Sequence, residues 1–225
     1  RLIESAEGAS ERPNFIEALT THTTRFFREG PQYDWLRETG FPTLIAAGAG
    51  LGRGLHVWSA ACSSGQELYS ALMVAADLAE RDGASLRLAG LGTDLSTRIL
   101  RVAETAVYPA EEVADIPLDT RRRHLLSERG GGGRVRIRPE LRRRTRWQQA
   151  NLADASTLPA QRADIAMLRN VLIYFDAPTR ERVLRNVIDR IAPGGFLLTG
   201  HSETIEARAW GLDPVRPSIY RKAPR

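Results

Sequence analysis

The sequence predicts an α/β fold: a doubly wound, mostly parallel sheet with helices on both faces. Two observations carry that expectation. Short apolar runs alternate along the 225 residues with longer stretches whose apolar residues recur at helical spacing. Ser, Pro and Gly punctuate the joints, as at Ser96, Pro178 and Pro193-Gly194-Gly195.

Taken in order, residues 1–12 are polar and small and read as a lead-in. Phe15, Ile16 and Leu19 suggest a short helix, and Phe26 and Phe27 a buried anchor. Pro31 opens a helix over Gln32–Glu38. Leu55–Ala61 reads as a strand and Gln66–Arg81 as a helix. Leu86–Thr93 is a second strand, followed by the helix Ser96–Ala106, capped by Ser96. Glu111–Leu126 has helical spacing. Val135, Ile137 and the Gly130–Gly133 run suggest a hairpin. Thr145–Ala150 and Asp164–Leu168 read as strands, and Thr179–Ile191 as a helix opened by Pro178. Pro193-Gly194-Gly195 predicts a sharp stop before the strand Phe196–Gly200, and Gly211–Lys222 a terminal hairpin.

Composition narrows the class. With 42% hydrophobic and 26% charged residues the chain is an ordinary globular one. No apolar run approaches the ~20 residues of a membrane span. The single cysteine excludes an internal disulfide and a multi-cysteine zinc site. No secretory apolar segment is visible, so a cytoplasmic location without membrane insertion is expected. The net charge of +5 is unevenly spread. Arg121–Arg146 holds 11 arginines against Glu128 and Glu140, a local +9, so the remainder is net acidic. Such a stripe attracts an anionic surface.

In doubly wound sheets, ligands bind beyond the carboxyl ends of the strands. The first strand runs through Ala60-Ala61-Cys62-Ser63-Ser64-Gly65 into Gln66-Glu67. Small side chains allow a ligand close to that backbone. The turn lacks both the G-x-G-x-x-G pattern and the lysine of a phosphate loop, and Glu67 would repel a phosphate. The second strand ends at Asp94, where such folds hold a ribose by its hydroxyls. A phosphate-free nucleoside with a cationic end fits, and S-adenosylmethionine is one. His22, His56, His124 and His201 show no metal spacing, and no metal is expected. Ser202 lacks the glycines of a nucleophile elbow, and Cys62 reads as a small buried thiol.

Four blocks occur in order: Thr24-Arg25-Phe26-Phe27-Arg28-Glu29, Trp58 to Ser70, Arg169 to Asp176, and Gly200-His201-Ser202-Glu203. Together they resemble the CheR family, S-adenosylmethionine-dependent methyltransferases of chemoreceptor glutamates, over Thr20 to Lys222. The resemblance implies a class I methyltransferase sheet at residues 40–225, with a small antiparallel β-subdomain inserted at about 130–146. Residues 1–39 would be a helical segment carrying the Thr-x-Phe-Phe-Arg block. The family's preceding helical domain would be largely absent, because fewer than 24 residues precede Thr24. Carried over by position, the cofactor-binding set is His22, Thr24, Arg28, Ala61, Glu67, Asp94, Asn151, Leu152, Asn170 and Val171. Glu67 would face the methionine end, Asp94 the ribose, and Asn151 and Leu152 the adenine. Arg28 and Tyr174, nearest the transferred methyl, are the expected catalytic residues. His22 and Gln66 depart from the family's usual Asn and Glu.

The implied reaction gives glutamate methyl ester and S-adenosylhomocysteine. A glutamate acceptor is ionised at neutral pH, with a pKa near ~4.3, so alignment rather than a general base is the requirement. The expected partner is the acidic cytoplasmic helix of a chemoreceptor, docked by Arg121–Arg146, with the chain a monomer. Nucleic acid is not expected, since no aromatic interrupts the stripe before Trp147. Two readings compete: a related methyltransferase with another acceptor, and a cofactor-binding signalling module without turnover.

Overall fold

The computed structural model describes residues 24–224. The expected helix around Phe15–Leu19 lies outside them. Helix α1 (Gly30–Trp35) has Pro31 in its first turn and runs through a π-helical turn (Leu36–Gly40) into α2 (Phe41–Ala46). The helix expected over Gln32–Glu38 is therefore part of a longer run, which crosses residue 40. Trp35 and Phe41, both buried, tie this run to the core.

Strand β1 (Leu55–Ser59) and α3 (Gln66–Arg81) follow, then β2 (Leu88–Asp94) and α4 (Thr97–Thr105). Ser96 caps α4, its hydroxyl accepting from the Ile99 N–H at 3.1 Å. The next segment corrects the expected helix over Glu111–Leu126. It holds a short strand β3 (Val107–Pro109), a 3₁₀ turn (Ala110–Val113), α5 (Leu118–His124) and strand β4 (Leu125–Ser127). Pro117, which lacks an N–H, ends one piece and starts the next.

Strand β5 (Arg134–Ile137) pairs antiparallel with both β3 and β4 in a separate three-stranded sheet. This small sheet starts earlier than the hairpin pattern indicated. α6 (Pro139–Arg142) then leads to β6 (Thr145–Gln149), which belongs to the main sheet.

The remaining elements are β7 (Ala163–Leu168), α7 (Ala177–Asp189), β8 (Ile191–Thr199), β9 (Leu212–Arg216) and β10 (Ile219–Lys222). The main sheet has seven strands in the order β6-β2-β1-β7-β8-β10-β9. The first five are parallel; β10 is antiparallel to β8 and to β9. Pro193-Gly194-Gly195 does not stop the chain before a strand. It lies within β8, where the pairing shifts from Ala163↔Ile191 to Ile165↔Phe196, so these residues bulge from the ladder.

Successive residues of the central strands enter opposite cores. Val57, Ile165, Met167, Phe196 and Leu198 pack with Leu68 and Leu72 of α3 on one face. Trp58, Ala166, Leu168 and Leu197 pack with Val183, Leu184 and Val187 of α7 on the other. Burial of each large side chain stabilises by about 1.5–3 kcal/mol, which makes a register slip costly. The order reverses at β1, opening a crevice beyond the β1 and β7 tips.

Candidate functional site

A cavity of about 420 Å³ occupies that crevice. Ten of the expected residues line it: Thr24, Arg28, Ala61, Glu67, Asp94, Asn151, Leu152, Asn170, Val171 and Tyr174. His22, the eleventh, lies outside the described residues. The volume is within the roughly 300–1,000 Å³ of small-molecule sites.

The turn after β1 is pinned to both neighbouring strands. Ala60 N–H donates to the Met167 carbonyl at 2.8 Å and Cys62 N–H to the Thr93 carbonyl at 2.9 Å. Gly65 begins α3 at φ 92°, where a Cβ would come within 2.8 Å of the Trp147 ring and 2.9 Å of Ala103. Cys62 is buried, and burial together with Asp94 and Glu67 pushes its thiol well up, so it is an inert packing residue.

Asp94 is held rigidly at the β2 tip. One carboxylate oxygen accepts from Ser63 N–H at 2.9 Å and the other from Ser96 N–H at 3.0 Å. Each oxygen keeps a second lone pair for a hydroxyl donor. Asn151 Oδ1 accepts from Ala153 N–H at 3.0 Å, which fixes the side chain with its amide NH₂ available to donate to a ligand. Leu152 beside it is buried in the α7-side core and supplies an apolar wall.

The floor is organised by Arg169, the first residue of the Arg169–Asp176 motif. Its side chain is 1% exposed. Nη1 donates to Glu67 Oε2 at 3.0 Å and to the Tyr33 hydroxyl at 3.2 Å. Nη2 donates to Glu29 Oε2 at 3.0 Å and to the Arg28 carbonyl. The Ser59 hydroxyl donates to the other Glu67 oxygen at 2.7 Å. Glu29 also accepts from His201 N–H at 3.2 Å and Asn170 Nδ2 at 3.3 Å.

The two carboxyls sharing Arg169 shift oppositely. Burial pushes Glu67 above its usual range, outweighing Arg169 and Ser59. For Glu29 burial pulls upward too, but Arg169 and the N–H donors outweigh it and hold the carboxyl low. Glu29 has the larger set of donors, accepting from Arg169, His201 N–H and Asn170, whereas Glu67 has Arg169 and Ser59 alone among the described residues. A signal for Arg169 existed: a lone arginine ends the buried strand Ala163–Leu168 at the switch point, where an unpaired charge is untenable.

Asn170 sits in the left-handed region, φ 56°, and opens a turn (Leu172–Tyr174) that leaves Tyr174 on the rim, 59% exposed. Among the described residues no group of three or more His, Cys, Asp or Glu could hold a metal. No described helix is long and apolar enough to cross a membrane.

The small sheet docks beside the same turn. Tyr108 hydroxyl donates to the Ser64 carbonyl at 2.8 Å, and Gln66 Nε2 to Glu112 at 2.9 Å. Arg143 and Arg146 of the basic stripe are exposed, whereas Arg142 is partly buried and holds the Ile137 carbonyl at 3.1 Å.

Comparison with known proteins gives concordant matches. The family profile for the CheR methyltransferase, SAM binding domain, matches residues 22–214. A chemotaxis protein methyltransferase of Klebsiella aerogenes is 37% identical over 204 residues, covering 90% of this chain and 67% of that protein. The chemotaxis protein methyltransferase of Escherichia coli is 35% identical, covering 90% and 68%. Chemotaxis protein methyltransferase 2 of Pseudomonas aeruginosa is 31% identical, covering 95% and 74%.

Proposed function

Because the chain belongs to the CheR family of methyltransferases, we propose that its pocket holds S-adenosylmethionine and presents it to glutamate carboxylates of a chemoreceptor. The observation that carries this reading is one cavity lined at once by the half-buried carboxylate Glu67, the fixed carboxylate Asp94, and Arg28 and Tyr174. The pocket suits such a cofactor: the carboxylates match hydroxyls and a cationic end.

In this reading Asp94 takes the ribose hydroxyls, Asn151 and Leu152 the adenine, and Ala61, Asn170 and Val171 line the pocket. Glu67 takes the ammonium of the methionine end. Thr24 and Arg28 close the site from the N-terminal segment, with His22 assigned to the same group. Residues 40–225 then form the cofactor-binding unit, with the small β-sheet its inserted subdomain, and residues 1–39 are the N-terminal segment that carries the Thr-x-Phe-Phe-Arg block. The cofactor supplies an electrophilic methyl on a sulfonium. The protein aligns the acceptor: Arg28 holds one carboxylate oxygen while the other faces the methyl, and Tyr174 orients the acceptor at the rim. No side chain needs to remove a proton, because the acceptor is already an anion.

The docking surface proposed for the acidic receptor helix is the arginine stripe, and the chain acts as a cytoplasmic monomer on a protein rather than a nucleic acid. Titrating S-adenosylhomocysteine into the purified chain tests the pocket. Saturable binding at one site per chain, weakened in Asp94→Ala, supports it; no saturable heat rejects it.

A further inference from the structure

The Gly200-His201-Ser202-Glu203 motif has no role in the assignments above, yet its last residue does something unusual. Glu203 is 1% exposed. Its carboxylate accepts four backbone N–H donors: Asn170 at 2.6 Å, Leu172 at 2.7 Å and Ile173 at 3.4 Å, with Gly200 at 2.9 Å. Three of those donors belong to the loop after β7, whereas Glu203 follows β8. The carboxylate therefore stitches together the tips of two parallel strands, at the crevice that holds the cavity.

We propose that Glu203 is a positioning residue, whose carboxylate sets the conformation of loop 170–174 and through it places Asn170, Val171 and Tyr174 at the cavity. This deepens the methyltransferase reading and rests on it for what the placed residues do. Two further features fit. Asn170 takes the left-handed region, φ 56°, which asparagine adopts readily, and its N–H is there donated to Glu203 at 2.6 Å. Gly200 leaves no room for a side chain: a Cβ there would lie 2.7 Å from Glu203 Oε2, 2.7 Å from Asn170 Nδ2 and 3.0 Å from Asn170 N. No ion pair of Glu203 occurs among the described residues, so backbone amides balance its charge. A buried anion held in this way is tolerated only while its N–H donors stay in place, which makes loop and carboxylate interdependent.

Glu203→Gln replaces one acceptor oxygen with an NH₂ that faces N–H donors. Glu203→Asp keeps the charge but is a methylene shorter. Gly200→Ala pushes on the same loop without changing charge. Each variant is taken at a temperature where circular dichroism shows it folded. S-adenosylhomocysteine affinity is measured by calorimetry, and kcat on chemoreceptor-containing membranes at saturating S-adenosylmethionine. The expected result is a kcat lowered about 10- to 100-fold in Glu203→Gln, with weaker cofactor binding and partial recovery in Glu203→Asp. Gly200→Ala should give the same pattern, so the proposal stays testable if Glu203→Gln does not fold. The loss of kcat should shrink in a Tyr174→Phe background, a coupling that general destabilisation does not produce. Folded Glu203→Gln and Gly200→Ala variants with wild-type affinity and kcat would overturn the proposal. Wild-type protein inactive on receptor would count against the methyltransferase reading, and the affinity measurement would still decide on Glu203.

Discussion

Arg169 Nη1 lies 3.0 Å from Glu67 Oε2, and Nη2 of the same guanidinium donates to Glu29 Oε2 at the same distance. One buried cation thus ties the first turn of α3 to the segment that brings Arg28 to the cavity. Replacing Arg169 by Leu strands two carboxylates, at a cost of about 3–5 kcal/mol. Glu67 is already pushed up by burial, and loss of Arg169 raises it further. A carboxyl whose folded pKa exceeds its unfolded value destabilises as pH rises between the two. The difference in Tm between wild type and Arg169→Leu should therefore be larger at pH 8 than at pH 5. An equal difference at both would separate Glu67 from the effect.

Asp94→Ala removes the acceptors for ribose hydroxyls and releases Ser63 and Ser96 N–H. Affinity for S-adenosylhomocysteine should fall by on the order of 1.5–3 kcal/mol, roughly 10- to 150-fold. Equal affinities in calorimetry would remove Asp94 from the ligand site.

Arg28→Lys tests alignment. Lysine keeps the charge but not the planar fork. Methyl transfer at saturating cofactor should fall further than cofactor affinity does. A variant that loses both in proportion would make Arg28 a cofactor-binding residue only.

Legibility differed between parts of the chain for physical reasons. Helix α3 matched its expected span of Gln66–Arg81 because periodicity, an opening glycine and a buried face all agree. Strand β3 has three residues and exists through pairing with β5, a tertiary effect with no local pattern. Pro117 divided a stretch whose apolar spacing alone looked helical, and the Pro193-Gly194-Gly195 bulge is possible because β7 supplies a partner on either side of it. Ala61, Asp94, Asn151 and Asn170 reached one cavity because strand tips in a doubly wound sheet converge. Arg169 and Glu203 stand in recognisable motifs, but their roles depend on which carboxylates and N–H groups the fold gathers around them.

Helix α5, which leads into β4 of the small sheet, is anchored by Asp77 of α3, which accepts from His124 Nε2 at 2.6 Å and from Arg123 Nε at 2.9 Å. Burial raises the Asp77 carboxyl, but these bonds outweigh it and hold it below its usual range. The stabilisation is present above the unfolded pKa of ~3.9 and is lost as pH falls through the lower folded value. Asp77→Asn should cost about 1–3 kcal/mol at pH 7 in denaturant titration, with the difference from wild type vanishing in strong acid. A constant difference across that range would contradict the assignment.

For the basic stripe, Arg143 and Arg146 are better targets than Arg142, which holds the Ile137 carbonyl. Arg143→Glu with Arg146→Glu should slow receptor methylation in a salt-sensitive manner and leave cofactor affinity unchanged. Normal methylation at low salt would make the stripe a solvated face. Salt-sensitive duplex binding by wild type, competing with receptor, would instead point to nucleic acid.

The most direct test incubates the chain with chemoreceptor-containing membranes and S-adenosylmethionine tritiated in the methyl group, then treats the receptor band with base. Carboxylate methylation predicts receptor-bound label that base releases as volatile methanol, greatly reduced in Arg28→Lys. Label that stays on the protein through base, or no label from a chain that binds the cofactor, would contradict it.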